Sequence, residues 1–286
     1  MPWMRVSASA TAELADDIAE RLTTAGAIAV TLMPGRDSAD DVLEPAPDAT
    51  PMWDTVRVEG LFGVEADLSP LAGIDIDVDF LADRDWSETW RDGIGPLRFA
   101  KLLVLPRTST FQSRPDDVVV RLDPGLAFGT GTHATTALCL ERLVQLPLEG
   151  KRVLDVGSGS GILAIAAARL GAIAVAVDHD PQARRATLEN CRSNGVEIAT
   201  ESRLEAVDSS FDLVLANLVA GTIRGLADAL SDRLVRGGEL VLSGILAGQV
   251  EWVVDAFSKQ QFRFEVPRCR DGWAMLRGFR CPNPSR

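Results

Sequence analysis

The chain has 286 residues, 46% of them hydrophobic and 24% charged, which suffices for two packed domains and poorly matches disordered, collagen-like or repeat architectures. Its 41 acidic against 29 basic residues leave a formal charge of −12, the wrong sign for wrapping duplex nucleic acid and the right one for attracting a basic protein. Cys139, Cys191, Cys269 and Cys281 form no CxxC pair and His133 and His179 are the only histidines, so no metal site is expected and the scattered thiols suit a reducing cytoplasm.

The N-terminal residues run into Glu13, Asp16 and Asp17 with no apolar core segment, so no signal peptide is expected. An extended run over 4–8 leads to Leu14, Ile18 and Leu22, whose four-residue spacing predicts a helix that stops near Gly26. Strands are expected at 27–33 and 55–62, separated by a loop rich in Pro and Asp, then a short helical piece around Ser69. Ile74, Ile76, Val78 and Phe80 alternate with Asp75, Asp77 and Asp79, the pattern of a half-buried strand with one acidic face. The order βαββαβ predicts a small ferredoxin-like α+β domain over 1–82. Residues 83–101 read as a linker helix, with Trp86 and Trp90 on one face at i,i+4.

Over 102–286 strand and helix periods alternate. Strands are expected at 102–105, 118–122, 152–156, 174–178, 197–200, 212–216 and 239–243, with helices at 133–146, 162–170, 182–194, 221–234 and 246–257. Final strands near 261–267 and 273–279 form an antiparallel hairpin. The pattern is that of a doubly wound α/β sheet with helices on both faces. The most apolar stretch, 162–177, is broken by Arg169 and Gly171, so nothing is expected to span a membrane.

The sharpest local signal is Val153-Leu154-Asp155-Val156-Gly157-Ser158-Gly159-Ser160-Gly161, a hydrophobic strand entering a glycine turn that opens an apolar helix. Glycines such as Gly157 and Gly159 let a ligand approach the backbone, and the helix N-terminus offers N–H groups to a carboxylate or phosphate. Asp178 follows Gly157 by 21 residues, at the end of the next strand, where nucleotide-binding sheets place an acid for ribose hydroxyls. A dinucleotide fingerprint needs Gly or Ala where Ile162 stands, so the turn suits S-adenosylmethionine better than NAD. Asn217 ends the fourth core strand, where open α/β sheets hold substrate, and Leu218-Val219-Ala220 follow it in place of the Pro-Pro-aromatic run of amide and adenine methyltransferases. A second Gly- and Thr-rich stretch, Asp123 to Thr136, precedes the glycine turn. Thr132 is a plausible N-cap within it and His133 a local hydrogen-bonding residue.

Taken together, Asp123 to Thr136, Asp155 to Ala166, Asp178-His179-Asp180-Pro181-Gln182-Ala183, Asn217 to Gly221 and Leu242 to Leu246 resemble the PrmA family, bacterial enzymes that methylate ribosomal protein number eleven of the large subunit. The resemblance runs through essentially the whole chain, with Ser158 where Cys is common and Ala134 where Pro is common. It implies a Rossmann-like seven-stranded methyltransferase sheet behind an N-terminal recognition domain. The implied contacts to S-adenosyl-L-methionine fall on Thr136, Gly157, Asp178 and Asn217, beside Gly159 of the turn itself. Asn217 is then the catalytic candidate, in a positioning role, and no residue is assigned to remove the proton. The implied partner is a basic ribosomal protein, methylated on lysine side-chain and N-terminal amines by a cytoplasmic monomer without direct nucleic-acid contact. Rival readings are another protein lysine or small amine as acceptor, an NAD-dependent oxidoreductase, and a non-catalytic nucleotide binder.

Overall fold

The computed structural model describes residues 3–35, 53–81, 95–123, 131–207 and 210–281. The chain divides into two compact units, Met1–Thr89 and Trp90–Arg286.

The first unit holds β1 (Trp3–Thr11), α1 (Ala12–Thr24), β2 (Ala29–Pro34), β3 (Thr55–Gly63) and β4 (Asp77–Leu81). They form one antiparallel sheet in the order β2-β3-β1-β4. Strict alternation along β1 and β3 puts Val6, Val56, Val58 and Phe62 inside, against Ala15, Ile18 and Leu22 of α1. Leu14, expected on that face, is 56% exposed. The helical piece around Ser69 is a single 3₁₀ turn, Ser69–Leu71. The expected half-burial holds at Ile74 and Ile76, which pack against this unit's core, and fails along β4. Val78 and Phe80 lie opposite the buried Val6 and Met4, yet they are 39% and 73% exposed. Trp86, Trp90 and most of the expected linker helix lie outside the described residues. Its final part is not helical, because Leu97–Phe99 form a strand.

That strand, β5, joins β6 (Leu102–Pro106) and β7 (Val118–Leu122) in a separate three-stranded sheet of the second unit. The doubly wound sheet expected to begin at 102 therefore begins at β8 (Arg152–Val156). It continues with β9 (Ile173–Val177), β10 (Ala199–Glu201), β11 (Phe211–Asn217), β12 (Leu234–Leu246), β13 (Phe262–Phe264), β14 (Arg268–Arg270) and β15 (Trp273–Arg280). Seven strands lie in the order β10-β9-β8-β11-β12-β15-β13, with β14 added on β15. Strands β8 to β12 are parallel, and β15 runs antiparallel to both its neighbours.

The helices are α2 (Ala134–Leu143), α3 (Ile162–Arg169), α4 (Pro181–Asn194), α5 (Ala220–Gly225), α6 (Ala227–Asp232) and α7 (Val250–Asp255). The helix expected over 221–234 is two short ones, and β12 keeps the chain extended to Leu246, where a helix was expected to start. Alternate residues of the central strands feed two cores. Val153, Leu213 and Leu215 pack with α2 and α3, while Leu154, Val214 and Ala216 pack with α5 to α7. Helix α2 is tied to the far end of the sheet by charge. Glu239 of β12, 8% exposed, accepts from Arg142 Nε and Nη2 at 2.7 and 2.6 Å and from Arg277 Nε at 2.8 Å. Among the described residues no helix is long and apolar enough to cross a membrane.

Candidate functional site

The glycine turn and the C-terminal ends of β8, β9 and β11 lie at one end of the parallel strands, where open α/β sheets form their ligand crevice. Gly157, Gly159 and Gly161 have φ of 77°, 54° and 82°, a left-handed run that a side chain at each position would strain. The turn is anchored to β9, since Gly157 N and Ser158 N donate to Val177 O at 2.8 and 3.1 Å.

Asp178, just past β9, is 8% exposed, and both its oxygens take part. Oδ2 accepts from Gly159 N at 2.9 Å and Oδ1 from Asp180 N at 3.0 Å. A carboxylate has about four acceptor positions, so a diol can still bond beside these two donors. Helix α4 then starts cleanly, because Asp180 caps Gln182 N at 2.8 Å and Pro181 occupies the first turn.

At the end of β11, Asn217 Nδ2 donates to Thr136 Oγ1 at 3.2 Å. Thr136 is 1% exposed in the first turn of α2, and Ser243, beside Asn217 on β12, fixes that turn by donating to Thr135 O at 3.1 Å. That bond uses one of the two Nδ2 hydrogens and orients the amide, whose oxygen can accept from an incoming N–H. The expected site residues thus fall into two contact pairs, Asp178 with Gly159 and Asn217 with Thr136. Helix α2 is capped by His133 rather than Thr132, through Nδ1 and the Thr135 backbone and hydroxyl. His133 also meets Trp273 edge-on, with ring centroids 5.0 Å apart. The stretch 124–130, the most discriminating part of the second motif, lies outside the described residues.

Two features escape the sequence pattern. A Cβ on Gly157 would lie 2.3 Å from Leu218 Cδ2, so a protein side chain occupies the space that the bare glycine was expected to leave open. Asp155 is 1% exposed; its Oδ2 accepts from Ala164 N at 3.1 Å, while Oδ1 is buried with no protein partner. Burial pushes this carboxyl up to about 7, the Ala164 N–H acts against the rise, and the negative Asp178 adds to it. The only hint in the sequence is an acid in phase with the inward Val153 of a hydrophobic strand. An orphaned buried carboxyl oxygen beneath a glycine turn, a diol-competent carboxylate and an oriented amide together suit a cationic nucleoside ligand.

Comparison with known proteins finds relatives over nearly the whole chain. The family model for ribosomal protein L11 methyltransferase (PrmA) matches residues 2–280. The ribosomal protein L11 methyltransferase of Methylococcus capsulatus is 43% identical over 296 residues, covering 97% of this chain and 99% of that protein. That of Aeromonas hydrophila is 40% identical over 291 residues, with the same coverage of 97% and 99%. Among solved structures, a ribosomal protein L11 methylase from Lactobacillus delbrueckii subsp. bulgaricus superposes with a TM-score of 0.62 at 33% identity, covering 66% of this chain and all of that one.

Proposed function

The chain belongs to the ribosomal protein L11 methyltransferase (PrmA) family, and we propose that it transfers methyl groups from S-adenosylmethionine to lysine side-chain and N-terminal amines of that ribosomal protein. The observation that carries the chemistry is the pairing of an oriented Asn217 amide with a neighbouring crevice that presents Asp178 and the glycine turn.

When bound, adenosylmethionine supplies an electrophilic methyl group on a sulfonium. Asp178 would hold a nucleoside diol while its backbone bonds keep it fixed. Asn217 accepts an N–H of the acceptor amine, which aims the nitrogen lone pair along the line of attack. A lysine with an ordinary pKa near 10.4 is almost wholly protonated at pH 7, so the amine must shed a proton before it reacts. Holding a neutral amine in line is then the main contribution these residues make to rate.

Residues 1–82 serve as the recognition module, 83–101 as the connection, and 102–286 as the methyltransferase domain, extended upstream to include β5. Support for the first role comes from an acidic strand, with Asp75 and Asp77 exposed beside the open Val78 and Phe80. Such a surface attracts a basic protein and repels nucleic acid at a chain charge of −12. A cytoplasmic setting agrees with the free cysteines.

The deciding experiment incubates the full-length chain with labelled adenosylmethionine and purified ribosomal protein L11, and maps the label by mass spectrometry. Label on lysine and N-terminal amines is expected; no incorporation, or label confined to other proteins of a cell extract, defeats the reading. In the same assay the double variant Asp75→Lys, Asp77→Lys should raise KM for the ribosomal protein without changing cofactor affinity.

A further inference from the structure

We infer that Asn190 is a positioning residue for the methyl-donor site, because its one side-chain amide fastens the glycine turn and the end of β7 to the same point of α4. The inference rests on the reading of the glycine turn as the place where adenosylmethionine binds.

Asn190 is 2% exposed, and both ends of its amide are used on backbone groups far apart in sequence. Nδ2 donates to Ser160 O at 2.9 Å, inside the glycine turn, and Oδ1 accepts from Asp123 N at 3.0 Å, just beyond β7. One turn later Asn194 binds β7: Nδ2 donates to Arg121 O at 2.6 Å and Oδ1 accepts from Arg121 N at 2.7 Å, with Nδ2 also donating to Asn190 O of its own helix at 2.7 Å. One turn earlier Thr187 Oγ1 donates to Gly159 O at 3.1 Å.

The two asparagines work as a pair because two repeats coincide. Four helical residues rise about 6 Å, and two strand residues advance about 6.6 Å. A carboxamide also carries the same donor and acceptor as a peptide group. Helix α4 therefore offers β7, the outer strand of the three-stranded sheet, two imitation peptide partners at residues 121 and 123. This occupies an edge that would otherwise present unpaired backbone groups.

Of the three side chains, Thr187 reaches the turn but not β7, and Asn194 reaches β7 and the Asn190 main-chain carbonyl of its own helix but not the turn. Asn190 touches both. The turn is built from left-handed glycines that have no repeating hydrogen-bond ladder, so its carbonyl directions depend on such side-chain donors. The carbonyls of Gly159 and Ser160 are held by Thr187 and Asn190, and the N–H of Gly159 by Asp178. Turning one of these carbonyls rotates the neighbouring N–H groups, which are what a ligand at the turn would meet.

The test measures adenosylmethionine affinity by calorimetry and melting temperature by scanning calorimetry on full-length wild type, Asn190→Asp and Asn194→Asp. Asn190→Asp keeps an acceptor for Asp123 N–H and sets an oxygen against the Ser160 carbonyl; Asn194→Asp does the same to the Arg121 carbonyl and to the Asn190 main-chain carbonyl, neither of which belongs to the turn. Both should melt earlier. Only Asn190→Asp should raise the cofactor Kd tenfold or more, with KM for the ribosomal protein within twofold of wild type, while Asn194→Asp leaves Kd within twofold. Should Asn190→Asp not fold, Asn190→Ser, too short to span both partners, reads the same Kd. Equal changes of Kd at the two positions, or an unchanged Kd at position 190, overturn the inference. A wild-type chain that binds no adenosylmethionine overturns the methyl-donor reading, and this inference with it.

Discussion

The Asn217 amide and the Thr136 hydroxyl meet at 3.2 Å, joining the last residue of β11 to the first turn of α2 across 81 positions of sequence. The bond selects which end of the amide faces the crevice. Thr136→Val keeps the shape and removes the acceptor, which should lower stability by about 1 kcal/mol. The rotated amide should also reduce kcat roughly tenfold, a loss of about 1.4 kcal/mol in transition-state stabilisation. Asn217→Ala, lacking the amide altogether, should reduce kcat further and, since Asn217 is also a candidate cofactor contact, raise the adenosylmethionine Kd. Single-turnover methyl transfer at saturating cofactor separates the two effects, and wild-type kcat in Asn217→Ala would remove this residue from the reaction.

Asp178→Ala should weaken adenosylmethionine binding by about 1.5–3 kcal/mol, roughly ten- to a hundredfold in Kd. The same change frees the N–H groups of Gly159 and Asp180. Asp178→Asn is the sharper comparison, since one of its two ends becomes a donor facing a backbone N–H. It should bind cofactor nearly as poorly as the alanine variant, as read by calorimetry.

Asp155 gives a pH dependence whose sign can be worked out. Its folded value of about 7 lies above the ordinary 3.8, so the folded chain holds a proton there that the unfolded chain has released. The stabilisation is full below about 3.8 and disappears as pH rises through about 7. Wild type should therefore lose stability to denaturant across that window. Asp155→Asn, neutral throughout and still able to accept from Ala164 N–H, should show a flatter profile and exceed wild type above pH 7. Parallel profiles would mean that the carboxyl does not titrate in this range.

At Gly157 the obstacle to a side chain is Leu218. Gly157→Ala combines a left-handed backbone, costing about 1–2 kcal/mol for an L-residue, with a methyl 2.3 Å from Leu218 Cδ2. Adding Leu218→Ala should relieve the collision and leave the backbone strain, so the double variant should recover part of the melting temperature lost by Gly157→Ala. Additive losses would show that Leu218 does not occupy this space in solution.

Periodicity made the sheet legible because the buried parallel strands are short apolar runs, and the glycine turn and Asp178 were legible because their spacing is local. What could not be read depends on contacts between distant segments. Nothing near Leu102 announces that β6 and β7 leave the main sheet, a choice fixed by α4 meeting the edge of β7. Nothing near Val78 reveals that the second helix of the small domain has shrunk to one turn, so alternation there promised a burial that, among the described residues, is met at Ile74 and Ile76 and not at Val78 and Phe80. Asp155 looked like one more residue of a nucleotide-binding strand; only the packing of α2 and α3 against its face shows a carboxyl isolated from solvent. Leu218 marked a departure from other methyltransferases, and its place above Gly157 depends on a chain reversal that no local pattern encodes.

The antiparallel β15 has a consequence for the order in which the molecule is built. It lies between β12 and β13, although it is made after both. When Leu246 has left the ribosome, β12 can pair with β11, yet its other edge stays bare until residues 273–280 arrive. At about 5–20 residues per second, the 34 positions from 246 to 280 take roughly 2–7 s. Through that interval Glu239 lacks Arg277, one of its two cation partners, and α2 is held by only part of its charge clamp. The sheet can thus assemble early around β8, β9 and β11, while its closure waits for a strand encoded near the end of the described chain. Protease resistance of nascent chains stalled on either side of residue 280 would time that step.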